Sequence, residues 1–495
     1  MKHIIISALS IFILFSSCTK QLNQQPISVE TTDAFYKSSN DFLQAVNAVY
    51  SSLRTYPDRQ LNLSETRSDN LYALSPGGVR DWEGINSFFS TIATNPYVAE
   101  AYLTNFNGIY KANTVLDQLK KNGTVISDAT LRNRFEAETR YLRAFMYFDL
   151  VRWFGKVPLV DHPLTVAEAN TIGRSSVSTI YDLIISDLQF AAANLPASYS
   201  ATDKGRATRY AATATLALVY MTRSGPTYGI EGPGLGLNEW SKASALLDTI
   251  INANVYSLLP SYSSIFSYTN ENNAEVIFDV EYISGNNNLG GSFPWVLVPD
   301  FYFNSVGIVS QGGYEIRPLS NNLIQSFDTT NDLRYKFSVQ RGYTYNGTTE
   351  TQSFFKKYLD ITKYGTNRFD WPINFIVTRY TDILMLKAEC ILHGSGAGDV
   401  DGIVNQVRTR AGLPNISGVT LPVLLEERRR EFMAEGLRWH DLVRSGNVVS
   451  IMQAWIAADD VQKRIQPFQT NYIIYPIPQS EMDVKPGLYT QNPGY

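Results

Sequence analysis

Apolar residues recur at helical spacing through most of the chain between residue 39 and about residue 225. In one segment Leu131 and Phe135 fall on one stripe while Arg132 and Arg140 fall on another, which is the pattern of a half-buried helix. The same pattern predicts further helices over residues 175–195, 207–221, 238–253, 379–392, 400–411 and 421–444. Consecutive helices of this length predict a mainly α fold with tetratricopeptide-like helix pairs in a superhelix.

The middle of the chain has a different character. A β-like run at residues 275–282 precedes an Asn- and Gly-rich stretch at residues 285–291. This predicts a loop-rich insertion with short β elements over residues 256–378. We expect one domain over residues 39–495, with the helical scaffold at about 39–255 and 379–495.

The first residues have the form of a bacterial lipoprotein signal. Lys2 and His3 precede an apolar run over residues 4–15, and two serines then lead to Cys18. The run suits a secretory signal but is shorter than the roughly 20 residues needed to span a bilayer. We therefore predict a signal peptide at 1–17, a lipidated Cys18 and a polar anchored linker over 18–38. The alternative is an ordinary secretory signal with a chance cysteine.

Composition and motifs argue against several function classes. The net charge of −4 and the scattered Lys and Arg residues lack the basic footprint of a nucleic-acid partner. No H-E-x-x-H, C-x-x-C, G-x-S-x-G or P-loop pattern occurs, and few histidines remain after the signal. Cys390 lies in an apolar helical run, which favours a core position over a reactive thiol. We predict no catalytic residue, metal or cofactor.

Two charged motifs invite a chemical interpretation. The arginines at 428–430 resemble an anion site, but neighbouring glutamates favour a solvated helix face or a structural ion network. His440 and Asp441 suggest a catalytic pair, yet adjacent residues on a helix point apart. We expect these residues to pack in the structure, with Trp153 as a candidate neighbour.

Aromatic residues make up 13% of the chain, and an aromatic ring can pack flat on the C–H face of a sugar. In two windows, residues 69–82 and 295–314, aromatics occur in Gly/Asn/Ser-rich sequence instead of on helical stripes. Planar hydrogen-bonding groups in the first window add the partners that hydroxyls require. The predicted ligand-binding residues are Asp69, Asn70, Tyr72, Arg80, Asp81, Trp82, Trp295, Tyr302 and Tyr314, with Phe301 as a further member of the aromatic wall. Trp82 and Trp295 are the leading candidates.

Several sequence blocks, in order along nearly the whole chain, resemble the SusD/RagB family of outer-membrane nutrient-binding lipoproteins from Bacteroidetes. Besides the lipoprotein start, the blocks are residues 138–145, 149–152, 155–159, 379–384, 404–408, 411–413, 427–431, 435–444, 476–478 and 491–495. The resemblance implies a tetratricopeptide-like helical fold with a loop-rich region that carries the ligand site. It also implies a SusC-like TonB-dependent transporter as partner and a place on the outer membrane, anchored by lipid and exposed at the cell surface.

The resemblance leaves the cargo open. Oligosaccharides are the expected ligand, delivered to the transporter without catalysis, and the ligand-binding windows agree with where the family places its sugar contacts. Peptides of the kind bound by RagB-type members are the alternative. A lipid-anchored glycoside hydrolase is a remote alternative, because two acidic residues suffice for that chemistry and the chain has 46. The acidic run that often follows the lipidated cysteine is absent, so surface exposure rests on the resemblance.

Overall fold

The computed structural model describes residues 35–73, 80–285, 288–310, 312–313 and 315–495, and within them the protein is mainly α. The predicted fold class is thus confirmed, with 53% helix and 7% strand. The helices are α1 Ser39–Tyr50, α2 Tyr56–Gln60, α3 Asp81–Asn86, α4 Pro96–Asn122, α5 Ala129–Phe154, α6 Val166–Ala169, α7 Val177–Asn194, α8 Arg209–Ser224, α9 Trp240–Asn252, α10 Tyr262–Ile265, α11 Phe293–Val296, α12 Asp300–Ser305, α13 Asn321–Gln325, α14 Leu333–Ser338, α15 Tyr380–Leu392, α16 Val400–Arg410, α17 Leu421–Glu431, α18 Arg438–Arg444, α19 Val448–Asp459 and α20 Gln479–Val484.

In the part of the chain that the structure describes, the strands form three small antiparallel pairs. They are β1 Val157–Pro158 with β2 Arg174–Ser175, β3 Val276–Val280 with β6 Phe375–Arg379, and β4 Val339–Tyr345 with β5 Thr348–Phe355. Strand β3 lies inside the predicted β-like run. An Asn346–Gly347 turn joins β4 to β5, and both residues have positive φ, 49° and 74°, as a tight hairpin requires. The pairs β3–β6 and β4–β5 lie in the loop-rich middle of the chain.

The helices of the first half pack in consecutive pairs, of which α4 and α5 are the longest. The Asp128 side chain accepts hydrogen bonds from two backbone N–H groups of the first turn of α5. Gly155 ends that helix at φ 65°, where a Cβ would lie 1.9 Å from the Glu231 carbonyl oxygen. Gly108 of α4 lies against Met146 of α5, and a Cβ there would lie 2.1 Å from the Met146 sulfur. Glycine thus allows these two helices to approach closely.

The predicted helix over residues 421–444 is wrong in one respect, because it is two helices. Helix α17 ends at Glu431 and α18 begins at Arg438. Between them Ala434 has φ 59° and Gly436 has φ 74°, which a right-handed helix excludes. A Cβ at Gly436 would lie 2.6 Å from the Gln60 Cβ, so this turn packs closely on α2.

The Trp439–His440–Asp441 motif is structural, as predicted. The Trp153 and His440 rings lie 4.4 Å apart between centroids. Burial, together with nearby arginines, lowers the pKa of His440 well below its ordinary value, so the ring is neutral. Asp441 instead accepts hydrogen bonds from Arg428 Nε at 3.0 Å and Arg444 Nη2 at 2.8 Å. The histidine and the carboxylate therefore have separate partners.

Helix α17 contributes to a buried network of charges. Glu431 accepts from Arg379 Nη1 at 2.8 Å and from Arg410 Nη2 at 2.6 Å. Burial alone would raise the pKa of Glu431, but the surrounding guanidiniums hold it well below its ordinary value. The other buried members of this charge network are Glu275, Asp332, Arg334, Lys357, Glu427 and Glu435. The network joins α14, β6, α16 and α17.

Two of the three arginines at 428–430 are buried in the interior. Arg428 pairs with Asp382 and Asp441, and Arg429 pairs with Asp69. Both guanidiniums are buried, whereas Arg430 is partly exposed. Of the two arrangements expected from the sequence, a solvated helix face and a structural ion network, the structure shows the ion network. Within the described ranges, no helix combines the length and apolar composition needed to cross a membrane.

Candidate functional site

Two adjoining cavities form a cleft beside α2, α3, α11 and α12. The inner cavity has a volume of about 280 Å³ and the outer one about 970 Å³. Ser292, Trp295, Arg368 and Phe369 line both cavities, so they are continuous. We refer to the pair as the aromatic cleft.

The two leading tryptophans from the sequence both line this cleft. Trp82, on α3, lines the inner cavity, and Trp295, on α11, lines both. Their exposed fractions are only 3% and 9%. The structure thus brings together side chains more than 200 positions apart in sequence, and it packs most of their surface against protein.

The Trp295 ring is fixed from two directions. It stacks on Phe303 with centroids 3.7 Å apart and planes 15° from parallel. Its indole N–H donates to Asp300 Oδ1 at 3.0 Å. Because Phe303 covers part of the ring, Trp295 presents only a small remaining surface to the cleft.

Among the described aromatic side chains that line the cleft, Phe369 has the greatest exposure, 57%. The loop that carries it is held by Asp370, whose carboxylate accepts from the Thr366 N–H at 2.9 Å and from the Gly285 N–H at 3.1 Å. An antiparallel bridge between Gly291 and Trp371 ties the same loop to the segment before α11. Phe369 was missed in the sequence, although it follows the same rule of an aromatic within polar loop residues.

Polar groups surround these rings. Arg317 places its guanidinium over Trp82 and donates to Asn62 Oδ1 at 2.7 Å. Tyr97 and Glu100 reach the inner cavity from α4. Hydrogen-bonding groups beside ring surfaces are what recognition of a polyhydroxylated ligand requires.

Asp58 is an acidic side chain of the cleft whose pKa is strongly raised. One carboxyl oxygen accepts from the Ser292 hydroxyl, while Oδ1 is buried without a hydrogen-bond partner among the described residues. Burial raises the pKa of Asp58 to about 7, with a further rise from Glu100, against the opposing effects of Ser292, Arg59 and Arg317. Near neutral pH this carboxyl is therefore part protonated and can donate or accept a hydrogen bond.

Asp69 and Asn70 do not reach the cleft, which corrects the expectation that they contact ligand. Both are buried, with exposed fractions of 1% and 0%. Asp69 accepts from Arg438 Nε at 2.8 Å, and Asn70 accepts from Arg429 Nε at 2.8 Å. Burial alone would raise the pKa of Asp69, but Arg429 and Arg438 lower it to about 2. Internal partners occupy these polar groups.

The other predicted residues lie around the cleft or apart from it. Arg80 pairs with Glu315, a lining residue, at 3.1 Å, and Asp81 is exposed at the start of α3 without lining the cleft. Tyr72 donates to Asp460 Oδ1 at 2.9 Å, away from the lining residues. Tyr302 lines a different cavity. Phe301 packs against Tyr345 and does not line the cleft.

Several predictions fall outside the described residues, namely the signal peptide at 1–17, the lipidated Cys18, the linker up to residue 34 and the ligand contact at Tyr314. For metals, no group of three His, Cys, Asp or Glu side chains suited to an ion occurs within the part of the chain that the structure describes. The arrangement of the aromatic cleft suits ring stacking and hydrogen bonding.

Comparisons with known proteins agree with the fold. A family model described as "SusD family" matches residues 342–495, and one described as "Starch-binding associating with outer membrane" matches residues 28–221. The chain is 25% identical to "SusD-like protein P25" of Formosa agariphila, over 97% of this chain and 96% of that protein. Both ends of the chain thus match related families.

Solved structures are similar over nearly the full length. A "Laminarin binding SusD-like protein" superposes with a TM-score of 0.77 at 26% identity, covering 93% of this chain and all of that one. "Surface glycan-binding protein A from Bacteroides thetaiotaomicron in complex with laminarihexaose" gives a TM-score of 0.79 at 23% identity, covering 92% and 100%. The second likeness concerns the fold alone.

Proposed function

We propose that the chain, which SusD-type family models match over residues 28–221 and 342–495, is an outer-membrane lipoprotein of the SusD family that binds oligosaccharides and delivers them to a SusC-like TonB-dependent transporter. It acts by binding and catalyses no reaction. The observation that carries this proposal is the aromatic cleft, where the Trp82, Trp295 and Phe369 rings meet hydrogen-bonding side chains.

The physical case rests on two complementary kinds of contact. Phe369 offers an exposed ring against which the C–H face of a pyranose can pack. Asp58 and Arg317 supply acceptors and donors for hydroxyl groups at the inner end. The outer cavity, at about 970 Å³, is large enough for more than one sugar ring. The laminarin-binding relative at 26% identity supports an oligosaccharide over a monosaccharide.

Calorimetric titration of the soluble chain, begun after Cys18, tests the cargo. The ligands are neutral plant, host and microbial oligosaccharides, laminarihexaose among them, and a mixed peptide panel. Heat with a glycan supports the proposal. Heat with peptides alone would move the cargo to the RagB-type alternative.

The Phe369→Ala variant tests the site. Loss of an exposed ring against a sugar face should weaken glycan binding by about tenfold or more, since such burial contributes roughly 1.5 kcal/mol. Tyr110→Ala is the matched control, because Tyr110 is 60% exposed on α4 and lines none of these cavities. Equal affinities of the two variants would contradict the site assignment. Alanine at Trp82 and Trp295 is a weaker test, because removal of buried rings also costs about 3–5 kcal/mol of stability.

Anchoring and delivery need separate tests. Palmitate labelling of the full chain in its native host should disappear in Cys18→Ser, and protease treatment of intact cells should degrade the chain if it is exposed at the surface. Co-purification with a TonB-dependent barrel after mild detergent extraction tests the transporter partner. Labelling that persists in Cys18→Ser would contradict the lipid site.

A glycoside hydrolase is the second candidate function, and one observation favours it. Asp58 and Glu100 line the same inner cavity, and the pKa of Asp58 near 7 lies in the range of a general acid. Incubation of each bound oligosaccharide with the wild-type chain, followed by analysis of reducing ends, decides the matter. Turnover that disappears in Asp58→Asn would replace the binding proposal with a catalytic one.

A further inference from the structure

A separate cavity of about 580 Å³ lies on the other side of helix α12 from the aromatic cleft. Asp300 of this helix lines the cleft, and Tyr302, two residues later, lines the other cavity. Residues two apart on a helix project in nearly opposite directions. We call this second space the basic pocket, and its charged lining consists of Lys336, Lys356, Lys357, Lys363 and Asp360.

We propose that the basic pocket is a second carbohydrate subsite, which binds sugars that carry a sulfate or a carboxylate. The lining has four ammonium groups and one carboxylate. Such an excess of positive charge around one concave surface attracts an anion. Aromatic side chains in the same lining favour an anionic sugar over an inorganic anion as the ligand.

Three of the four lysines are available to a ligand. Lys336 and Lys363 are exposed, and neither forms an ion pair with a carboxylate among the described residues. Outside the pocket, Lys336 acts on Asp328, whose pKa is lowered mainly by hydrogen bonds from Asn331 and also by the Lys336 ammonium. Lys357 is not available, because its Nζ donates to Glu435 Oε1 at 2.5 Å in the buried charge network.

Lys356 has no carboxylate partner for its ammonium group among the described residues. Its side chain is half-buried after β5, and its Nζ donates to the neutral Gln340 side-chain oxygen at 3.3 Å. Burial lowers the pKa of this lysine from its ordinary value. An anion in the pocket would supply the missing countercharge. The one lining carboxylate, Asp360, already accepts from the Thr362 backbone N–H at 3.0 Å and hydroxyl at 2.7 Å.

Rings form the other part of the lining. Tyr268, Tyr302 and Phe337 are half-buried, so each shows part of its surface to the cavity. These rings can pack against the C–H face of a sugar while the lysines meet its anionic substituent. Tyr302, which the sequence predicts as a ligand-binding residue, thus lines the basic pocket.

The aromatic cleft has the opposite balance of charge. Its inner cavity is lined by four carboxyl side chains, Asp58, Glu100, Asp300 and Glu315, against the two guanidiniums of Arg317 and Arg368. Neutral sugars suit such a lining better than anionic ones. We therefore expect the aromatic cleft to bind neutral sugars and the basic pocket to bind anionic sugars. Each site can be tested without the other.

The test compares laminarihexaose with the same hexasaccharide after chemical sulfation, by calorimetry at low ionic strength. We expect the Lys336→Ala/Lys363→Ala variant to lose about tenfold in affinity for the sulfated ligand. Lys120→Ala/Lys204→Ala is the control, because it removes the same net charge from exposed lysines elsewhere. The control should bind the sulfated ligand as the wild type does.

Three results would overturn the proposal. They are equal loss in the two double variants, loss of the sulfated ligand in Phe369→Ala but not in the lysine variant, and equal binding of sodium sulfate at matched sulfate concentration. Failure of neutral laminarihexaose to bind bears only on the function proposed for the aromatic cleft. Binding of the sulfated ligand through the lysines would support the basic pocket in either case.

Discussion

The guanidinium carbon of Arg317 lies 5.3 Å from the centroid of the Trp82 ring. Arg317 also donates to Asn62 Oδ1 at 2.7 Å and to Thr66 Oγ1 at 3.3 Å. One side chain thereby joins the segment before α13 to the π-helical turn over Leu61–Glu65 and to α3. The position of the Trp82 ring depends on this junction.

Replacement of Arg317 should therefore impair the cleft. A cation–π contact and a hydrogen bond to a charged group together contribute roughly 2 kcal/mol, so we expect Arg317→Ala to weaken neutral glycan binding by about tenfold or more. Calorimetry with the best neutral ligand measures the effect. Arg341→Ala is the control, since Arg341 lies over Tyr335 at 5.1 Å, away from the cleft. Unchanged affinity in Arg317→Ala would show that the contact is dispensable.

Asp58 should make stability depend on pH. Its folded-state pKa of about 7 exceeds the ordinary 3.8, so between about pH 4 and 7 the unfolded chain releases a proton that the folded chain retains. This contribution is fully present below pH 4 and is lost as the pH rises through 7. The pKa difference corresponds to at most about 4 kcal/mol. Between pH 4.5 and pH 7.5 the free energy of unfolding should therefore fall less in Asp58→Asn than in the wild type. Urea unfolding at the two pH values measures this difference.

Identical slopes in the wild type and Asp58→Asn would contradict the raised pKa of Asp58. A matched comparison is Asp279→Asn, because burial raises the pKa of that carboxyl to about 8, outside the cleft. It should flatten the pH dependence of stability as Asp58→Asn does. Glycan affinity should change in Asp58→Asn and stay constant in Asp279→Asn.

The buried charge network should respond strongly to loss of one member. Glu431→Gln leaves Arg379 and Arg410 without part of their countercharge in the interior, and we expect a loss of about 3–5 kcal/mol. Urea unfolding measures the change. Glu426→Gln, five residues earlier on α17, removes a carboxylate that is 34% exposed and should cost under about 1 kcal/mol. A similar small loss in both variants would show that the network adds little stability.

Cys390 should be unreactive in the folded chain. It is fully buried on α15, and burial raises the pKa of its thiol to about 12, so the reactive thiolate is scarce. With the chain begun after Cys18, a thiol reagent such as dithionitrobenzoate should modify no cysteine under native conditions and one after unfolding. Rapid native modification would contradict the core position.

The helical scaffold was predictable because its signal is local. Apolar spacing and caps such as Asp128 act within a few residues, and the sequence shows them directly. The break between α17 and α18 was not predictable in the same way. It needs a left-handed conformation at Ala434, in a turn whose Gly436 packs closely against Gln60 of α2.

The site was predictable only where the sequence departs from helical pattern. The sequence singles out Trp82 and Trp295, which both line the cleft, because each occurs in polar loop-like sequence, and that rule also suits Phe369. Asp58 and Glu100 lie on helices, where an acidic residue signals only a solvated face. Their approach to one cavity depends on how α2 packs against α4, which single-sequence spacing does not encode.

The aromatic cleft and the buried charge network occupy different parts of the chain. Residues between 288 and 317 and between 364 and 371 supply most of the cleft lining, whereas the network joins α14, β6, α16 and α17. Substitutions in those segments can thus alter which cargo binds without weakening the ion pairs that maintain the scaffold. After gene duplication, a copy of this chain can diverge toward a new ligand through a small number of changes, each tolerated by the same folded framework.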